Sequence, residues 1–258
     1  MTLVHSFILG IVEGLTEFLP ISSTAHLEIA SRVLGLASTD FLKSFEIIIQ
    51  LGAILAVVVF YASTLTKNTE LWKRIIVAFV PTGIIGFLLY KVIKNYLLGN
   101  PSLIVWTLGI GGIVILLFEY IYKDKHAERD STQELQTLSY KKALLIGLAQ
   151  SLAIVPGVSR SAATILSGTA LGMSRKAIVE FSFLLAIPTM LAATAYDLIK
   201  NASSFSSGEF VMLTVGFITA FISALLAIKF FIHYIQKRGF ALFGWYRIVL
   251  AIIIFLLI

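Results

Sequence analysis

Residues 13–26 read Glu13-Gly-Leu-Thr-Glu17-Phe-Leu-Pro20-Ile-Ser-Ser-Thr-Ala-His26 and set three ionisable groups inside an apolar stretch. A second polar break, Pro156-Gly-Val-Ser-Arg160-Ser-Ala-Ala-Thr164, interrupts another apolar stretch. Ionisable groups at membrane depth are costly, and they line a site or a pathway. Two carboxylates, a histidine, several hydroxyls and one arginine form a kit suited to phosphate chemistry.

The rest of the chain supplies the membrane. Of its 258 residues, 58% are hydrophobic and 13% charged, against about 45–50% and about 25% in a soluble domain. Mean hydropathy is +0.95. The composition is that of a polytopic membrane protein, in one membrane domain covering 1–258 with no room for a separate soluble domain. There is no cysteine, which excludes thiol nucleophiles, disulfides and thiolate metal sites. The net charge of +6 is the ordinary basic bias of cytoplasmic membrane loops. Met1-Thr-Leu-Val-His-Ser has no basic n-region and does not read as a cleaved signal peptide.

A helix needs about 20 apolar residues to cross the hydrocarbon core. Six stretches reach that length: 43–63, 75–94, 102–122, 177–199, 210–232 and 241–258. Residues 6–19 and 141–155 fall short, at about 14 residues or about 21 Å of helix. Each ends at a Pro-Ser-rich break and is followed by a short apolar run, 24–36 or 162–172. Each pair is expected to be a re-entrant helix–loop–helix, over 6–36 and 141–172. Such backbone is tolerated at depth where protein or water covers it. The chain then repeats, with the first unit over 1–122 and the second over 141–258, joined by a polar, solvated linker at 123–142. Leu9-Gly10-Ile-Val-Glu13 resembles Ile146-Gly147-Leu-Ala-Gln150. Three spans per unit invert the second unit, giving an all-α, inverted-topology repeat.

On this topology thirteen basic residues, from Lys67 to Arg238, fall on one face and Arg32, Lys43, Lys91, Lys94 and Lys200 on the other. The crowded face is cytoplasmic by the positive-inside rule. Arg247 is expected near that face. The first re-entrant pair then enters from outside, and both termini face outside.

Glu13 and Glu17, four apart, share one helix face. Two close carboxylates both stay charged only beside a cation, a metal ion or an arginine. Mg²⁺ commonly bridges carboxylates to phosphate. Ser22, Ser23 and Thr24 follow Pro20 as helix caps, and a helix start inside the membrane is also an anion site. His26 could serve as acid or base, or activate a serine. Arg160 matches phosphate oxygens through its planar fork, with Ser159, Ser161 and Thr164 as further donors. Gln50, Glu46 and Glu180 support the site or make interhelical hydrogen bonds.

The two breaks, with Gln50-Leu-Gly-Ala-Ile-Leu-Ala-Val and Phe181-Ser-Phe-Leu-Leu-Ala-Ile-Pro188, resemble the undecaprenyl-diphosphate phosphatases, the bacitracin-resistance membrane proteins. Ala162 stands where many members carry glycine. The resemblance implies a bacterial plasma (inner) membrane hydrolase. It removes the terminal phosphate of a C55 polyprenyl diphosphate, depends on a divalent cation (Mg²⁺ or Ca²⁺) and opens its site to the outer face. It implies Glu13 and Glu17 as the acidic pair and metal ligands, Ser23 and His26 as the reactive pair, and Arg160 as the phosphate-binding arginine. The expected partners are the polyprenyl diphosphate lipid and the membrane, without nucleic acid and with a homodimer left open. The rival class is a transporter or flippase of a polyprenyl phosphate lipid, since broken helices at mid-membrane also suit carriers.

Overall fold

The computed structural model describes residues 1–92, 96–97, 100–122, 130–201 and 205–257. Lys94, Lys123, Lys125 and Arg129 therefore lie outside the described residues, as does the first part of the linker. The described chain is helical: α1 Leu3–Thr16, α2 Ser23–Val33, α3 Asp40–Phe60, α4 Ala62–Lys67, α5 Thr69–Val92, α6 Pro101–Tyr122, α7 Ser131–Thr137, α8 Tyr140–Gln150, α9 Arg160–Ala170, α10 Arg175–Asn201, α11 Ser207–Lys237 and α12 Ala241–Leu257.

Five helices are long and apolar enough to cross a membrane: α3, α5, α6, α10 and α11. The sixth expected span is α12, with 17 residues, about 26 Å of helix and at the short end of spanning length. Large apolar side chains such as Phe87, Ile199 and Leu256 face outward, as a multi-pass membrane protein requires. The expected spans begin too late at α3 and α5. Thr39 caps α3 by accepting from the Leu42 N–H at 3.1 Å, and Asn68 accepts from the Leu71 N–H at 3.0 Å. Polar caps thus extend these helices beyond their apolar runs.

The linker requires a correction. Its described part forms α7, capped by Asp130, rather than a solvated loop. Ser131, Leu135 and Leu138 are buried. Glu134 accepts from the Ser174 N–H at 3.0 Å and from its hydroxyl at 2.6 Å, tying α7 to the start of α10. Leu135 and Leu138 are the apolar signal inside an otherwise polar stretch.

The two short-helix pairs, α1–α2 and α8–α9, have matching local structure. The turns into α2 and α9 are made by Ser22 and Ser159, both with positive φ, and the turns out of them by Gly35 and Gly172, also with positive φ. The serine-to-glycine spacing is the same in both pairs. The second pair differs in one detail. After Gln150 its first helix tightens into a 3₁₀ turn, Ser151–Ile154, and Val155 is extended, the conformation that Pro156 imposes on the residue before it.

Packing is reciprocal between the halves. Helix α1 packs on α11, and α8 on α5; α3 pairs with α10, and α6 with α12. The close crossings are made by glycines. A Cβ on Gly10 would lie 1.9 Å from Thr219 Oγ1 on α11, and a Cβ on Gly147 would lie 1.9 Å from the Ala78 carbonyl oxygen on α5. Small residues let helix backbones approach where apolar surface alone gives no preference between protein and lipid. Helices α10 and α3 are the most buried spans, and Phe18, Phe181, Phe183, Phe231 and Phe243 fill the core beside the breaks.

Gly147→Ala is expected to separate α8 from α5 and cost about 1–3 kcal/mol as an overpacked contact. Gly208→Ala, with open space around it, should leave stability unchanged. Melting of the two purified variants in detergent checks the difference.

Candidate active site

The first break places Glu17 at the end of α1 and Ser22–Ser23 at the start of α2. Leaving α1 at Thr16, the chain folds back so that the Ile21 N–H bonds the Leu19 carbonyl at 2.8 Å. The hydroxyl of Ser22 caps α2 by accepting from the Ala25 N–H. In the second break the Ser159 hydroxyl caps α9 by accepting from the Ala162 N–H at 3.2 Å. Ser22 and Ser159 have φ of 70° and 75°, a left-handed conformation that costs a non-glycine residue about 1–3 kcal/mol and clusters at working sites.

The breaks meet through side chains. Arg160 Nη2 donates to Glu17 Oε1 at 3.0 Å, with Glu17 buried and Arg160 partly so. Ser161 donates to the Phe18 carbonyl at 2.8 Å. Arg160 Nη1 donates to the Ser182 carbonyl at 2.7 Å and contacts its hydroxyl at 3.3 Å. Thr164 and Ser182 share a hydroxyl–hydroxyl bond at 2.6 Å. The other oxygen of Glu17 accepts from the Ser23 hydroxyl. One carboxylate thus bridges the serine of the first break and the arginine of the second.

A cavity of about 200 Å³ opens beside this bridge, lined by residues that include Glu17, Ser22, Ser23, Thr24, Gln50, Ser159 and Arg160. Thr82, Gln150 and Thr189 line it as well. The Gln150 amide donates to the Thr82 hydroxyl at 2.9 Å and to the Thr189 hydroxyl at 3.2 Å. At about 30 Å³ per water, the volume is that of roughly six or seven water molecules, enough for a small polar headgroup.

The expected residues divide into groups. Glu17, Ser22, Ser23, Thr24, Ser159, Arg160 and Gln50 meet at the cavity. Ser161 and Thr164 do not line it, because their hydroxyls fasten the second break to Phe18 and Ser182. Glu13 does not line the cavity; it is fully buried next to the Glu17 carboxylate, and neither of its oxygens accepts a hydrogen bond. Its neighbouring charges are Glu17, Glu46 and Arg160. His26 points elsewhere: Nδ1 donates to the Ser22 carbonyl at 2.7 Å, leaving Nε2 to accept from the Tyr246 hydroxyl, also at 2.7 Å. Ser23 and His26 therefore share the start of α2, but the hydrogen bond of Ser23 goes to Glu17. Glu46 accepts from Ser31 at 3.0 Å and Glu180 lies 4.0 Å from Lys176.

Orphaned oxygens on a buried carboxylate call for a partner. Glu13 and Glu17 offer the hard oxygen donors that Mg²⁺ and Ca²⁺ prefer. Among the described residues no group of three His, Asp or Glu side chains converges as a complete cage. The donor set suits a cation that takes its other ligands from phosphate and water.

Sequence reasoning passed over Thr82, Gln150, Thr189, Ser182, Tyr246 and Arg247. Gln150 was visible as the counterpart of Glu13 in the repeated Gly-containing motif. Arg247 stands alone in an apolar run and is itself a signal. Its expected place near the cytoplasmic face is wrong. It is fully buried, with its guanidinium at the two breaks.

Comparison with known proteins agrees with this geometry. The family model described as bacitracin resistance protein BacA matches residues 6–253. The undecaprenyl-diphosphatase of Aquifex aeolicus is 53% identical over 253 residues, covering 98% of this chain and 97% of the relative. That of Persephonella marina is 51% identical over the full length of both. That of Methanococcus aeolicus is 44% identical, covering 98% of each chain. With both breaks inside the matched region and the identity running end to end, this chain belongs to the bacitracin resistance protein BacA family.

Proposed function

We propose that this protein is a membrane hydrolase that converts undecaprenyl diphosphate to undecaprenyl phosphate and inorganic phosphate, returning a lipid carrier to cell-wall assembly. The observation that carries the proposal is the Ser23–Glu17–Arg160 chain at the cavity. The names of the relatives point to the same reaction. The lipid tail lies among the apolar helices, and the diphosphate reaches the cavity.

Phosphoryl transfer depends mainly on positioning and on offsetting charge. Arg160 binds the terminal phosphate, supported by the N-terminal N–H groups of α2 and α9. The Ser23 oxygen attacks the terminal phosphorus and gives its proton to Glu17. The bond from that phosphorus to the bridging oxygen breaks, and the monophosphate lipid leaves. Glu17 passes its proton to the departing monophosphate; water then attacks the phosphoserine, the bond from phosphorus to the Ser23 oxygen breaks, and the protons of water go to Ser23 and to inorganic phosphate. His26, held by Ser22 and Tyr246, shapes the start of α2.

Two carboxylates against Arg160 leave the site with an excess of negative charge, unsuited to a diphosphate. A divalent cation held by Glu13 and Glu17, Mg²⁺ or Ca²⁺, would reverse that balance and draw charge from the phosphate oxygens.

The repeated turns and reciprocal packing support an inverted repeat in which α1–α2 and α8–α9 are re-entrant pairs entering from opposite faces. With the basic bias marking the cytoplasmic face, this arrangement supports a cavity that opens toward the outer face of the plasma membrane. The chain lacks cysteine, so single cysteines can report sidedness. A cysteine at Asp40 should react with an impermeant reagent added outside intact cells, and one at Lys141 only after lysis. The opposite pattern would reverse the topology.

Purified protein in detergent is expected to release phosphate from a polyprenyl diphosphate. Glu17→Ala and Arg160→Ala should each lower the rate at least a hundredfold, the scale of losing a charge-stabilising group. A carrier would release none, detergent leaving no second compartment. Ser23→Ala with full activity would assign the nucleophile to water instead; a trapped phosphoserine supports attack by Ser23. Chelation should abolish release in wild type. Glu13→Gln should raise the cation concentration needed for half-maximal rate at least tenfold, the scale of losing a metal-binding group. An unchanged cation requirement would remove Glu13 from the cation site.

A further inference from the structure

Arg247 is fully buried in α12, and none of its hydrogen-bond partners is a carboxylate. Its guanidinium donates to five backbone carbonyls. Nε reaches Leu108 at 3.3 Å. Nη1 reaches Pro20 at 3.3 Å and Val158 at 3.1 Å. Nη2 reaches Thr107 at 2.9 Å and Gly157 at 2.8 Å. Pro20 belongs to the first break, Gly157 and Val158 to the second, and Thr107 and Leu108 to α6. A planar, always-charged fork with five donors is the side chain that can bind so many acceptors at once. A buried charge without a counter-ion is costly unless fully hydrogen-bonded, so its presence points to a task that an apolar residue could not perform.

Two further observations bear on that task. Tyr246, the preceding residue, donates to His26 Nε2 at 2.7 Å, so adjacent residues of α12 hold the first break at two points, His26 and Pro20. On α6, Gly111 clears the path of the guanidinium: a Cβ there would lie 2.2 Å from Arg247 Nη2. Thr107 also donates to the Pro156 carbonyl at 2.8 Å, so the second break is held from α6 and α12 together.

We propose that Arg247 is a positioning residue for hydrolysis, one that fixes the two breaks against each other and so holds Ser23 and Glu17 in register with Arg160. The role rests on the hydrolase reading above. Arg247 does not line the cavity and touches no reacting atom. It acts through the backbone of Pro20, Gly157 and Val158. Lysine keeps the charge but cannot span carbonyls of three segments. Gly111→Ala keeps the arginine but displaces its fork.

The test compares Arg247→Lys, Gly111→Ala and Gly109→Ala, the last a control on the same helix whose Cβ would make ordinary contact with Ala251 at 3.7 Å. Phosphate release from a polyprenyl diphosphate should fall about a hundredfold in kcat for Arg247→Lys and at least tenfold for Gly111→Ala, the scale of a small misplacement of reacting groups. KM should stay within about threefold, and Gly109→Ala should match wild type. Hydrogen exchange of peptides covering 17–26 and 155–164 should quicken in both Arg247→Lys and Gly111→Ala. Wild-type kcat in folded Arg247→Lys would overturn the proposal, as would losses that merely follow the folded fraction. The exchange measurement does not need turnover. If wild type released no phosphate the hydrolase reading would fail by itself, whereas unchanged exchange in both peptides would remove the clamp.

Discussion

The ion pair between Glu17 and Arg160 is the constraint on which the rest of the structure depends. Each charge sits at the end of a broken helix, largely withdrawn from bulk solvent beside one small polar cavity. Removing one partner of such a pair leaves an uncompensated buried charge, at a cost of about 3–5 kcal/mol. The two breaks must therefore meet. Short helices, serine caps with positive φ, and glycine crossings of α1 on α11 and α8 on α5 are the means by which a chain with two interrupted segments brings them together. The Ser161 bond to the Phe18 carbonyl and the carbonyl bonds of Arg247 then lock the junction from the backbone side.

The same pair gives the site its chemistry. Glu17 holds Arg160 with one oxygen and Ser23 with the other, so one carboxylate joins the serine of the first break to the arginine of the second. Uncharged polar side chains, those of Gln50, Thr82, Gln150 and Thr189, also line the cavity. Amides and hydroxyls there can bond a phosphate without repelling it. The charged side chains that line the cavity are those of Glu17 and Arg160. Glu13 is buried next to Glu17, and neither of its carboxylate oxygens accepts a hydrogen bond.

Much of this was legible in the sequence, for a physical reason. In an apolar chain the ionisable residues stand out, and Glu13, Glu17, Arg160 and the serines between prolines and helices could be found by their cost alone. The spans were legible from hydropathy, and the paired breaks from repetition of a glycine–carboxylate motif as a glycine–amide one. What escaped depends on direction rather than identity. Ser161 and Thr164 look like phosphate donors in a line of text, but on α9 they face Phe18 and Ser182. His26 looks like the partner of Ser23, yet its ring is turned toward Tyr246 on α12, near the other end of the chain. Position near a helix start suggests a peripheral Arg247, whereas burial and carbonyl partners are the informative facts. Helix α7 escapes because two leucines in a polar linker are too weak a periodic signal to mark a helix that tertiary contacts complete.

The central claim is that Glu17 and Arg160, from opposite halves of the chain, act as one unit in one site. A double-mutant cycle on phosphate release tests it most directly, with Glu17→Gln, Arg160→Lys and the combined variant purified as folded protein. If the residues form one unit, the combined variant loses no more activity than the worse single variant, because the first substitution has already broken the pair. If their losses multiply, the residues contribute independently and the shared site is contradicted.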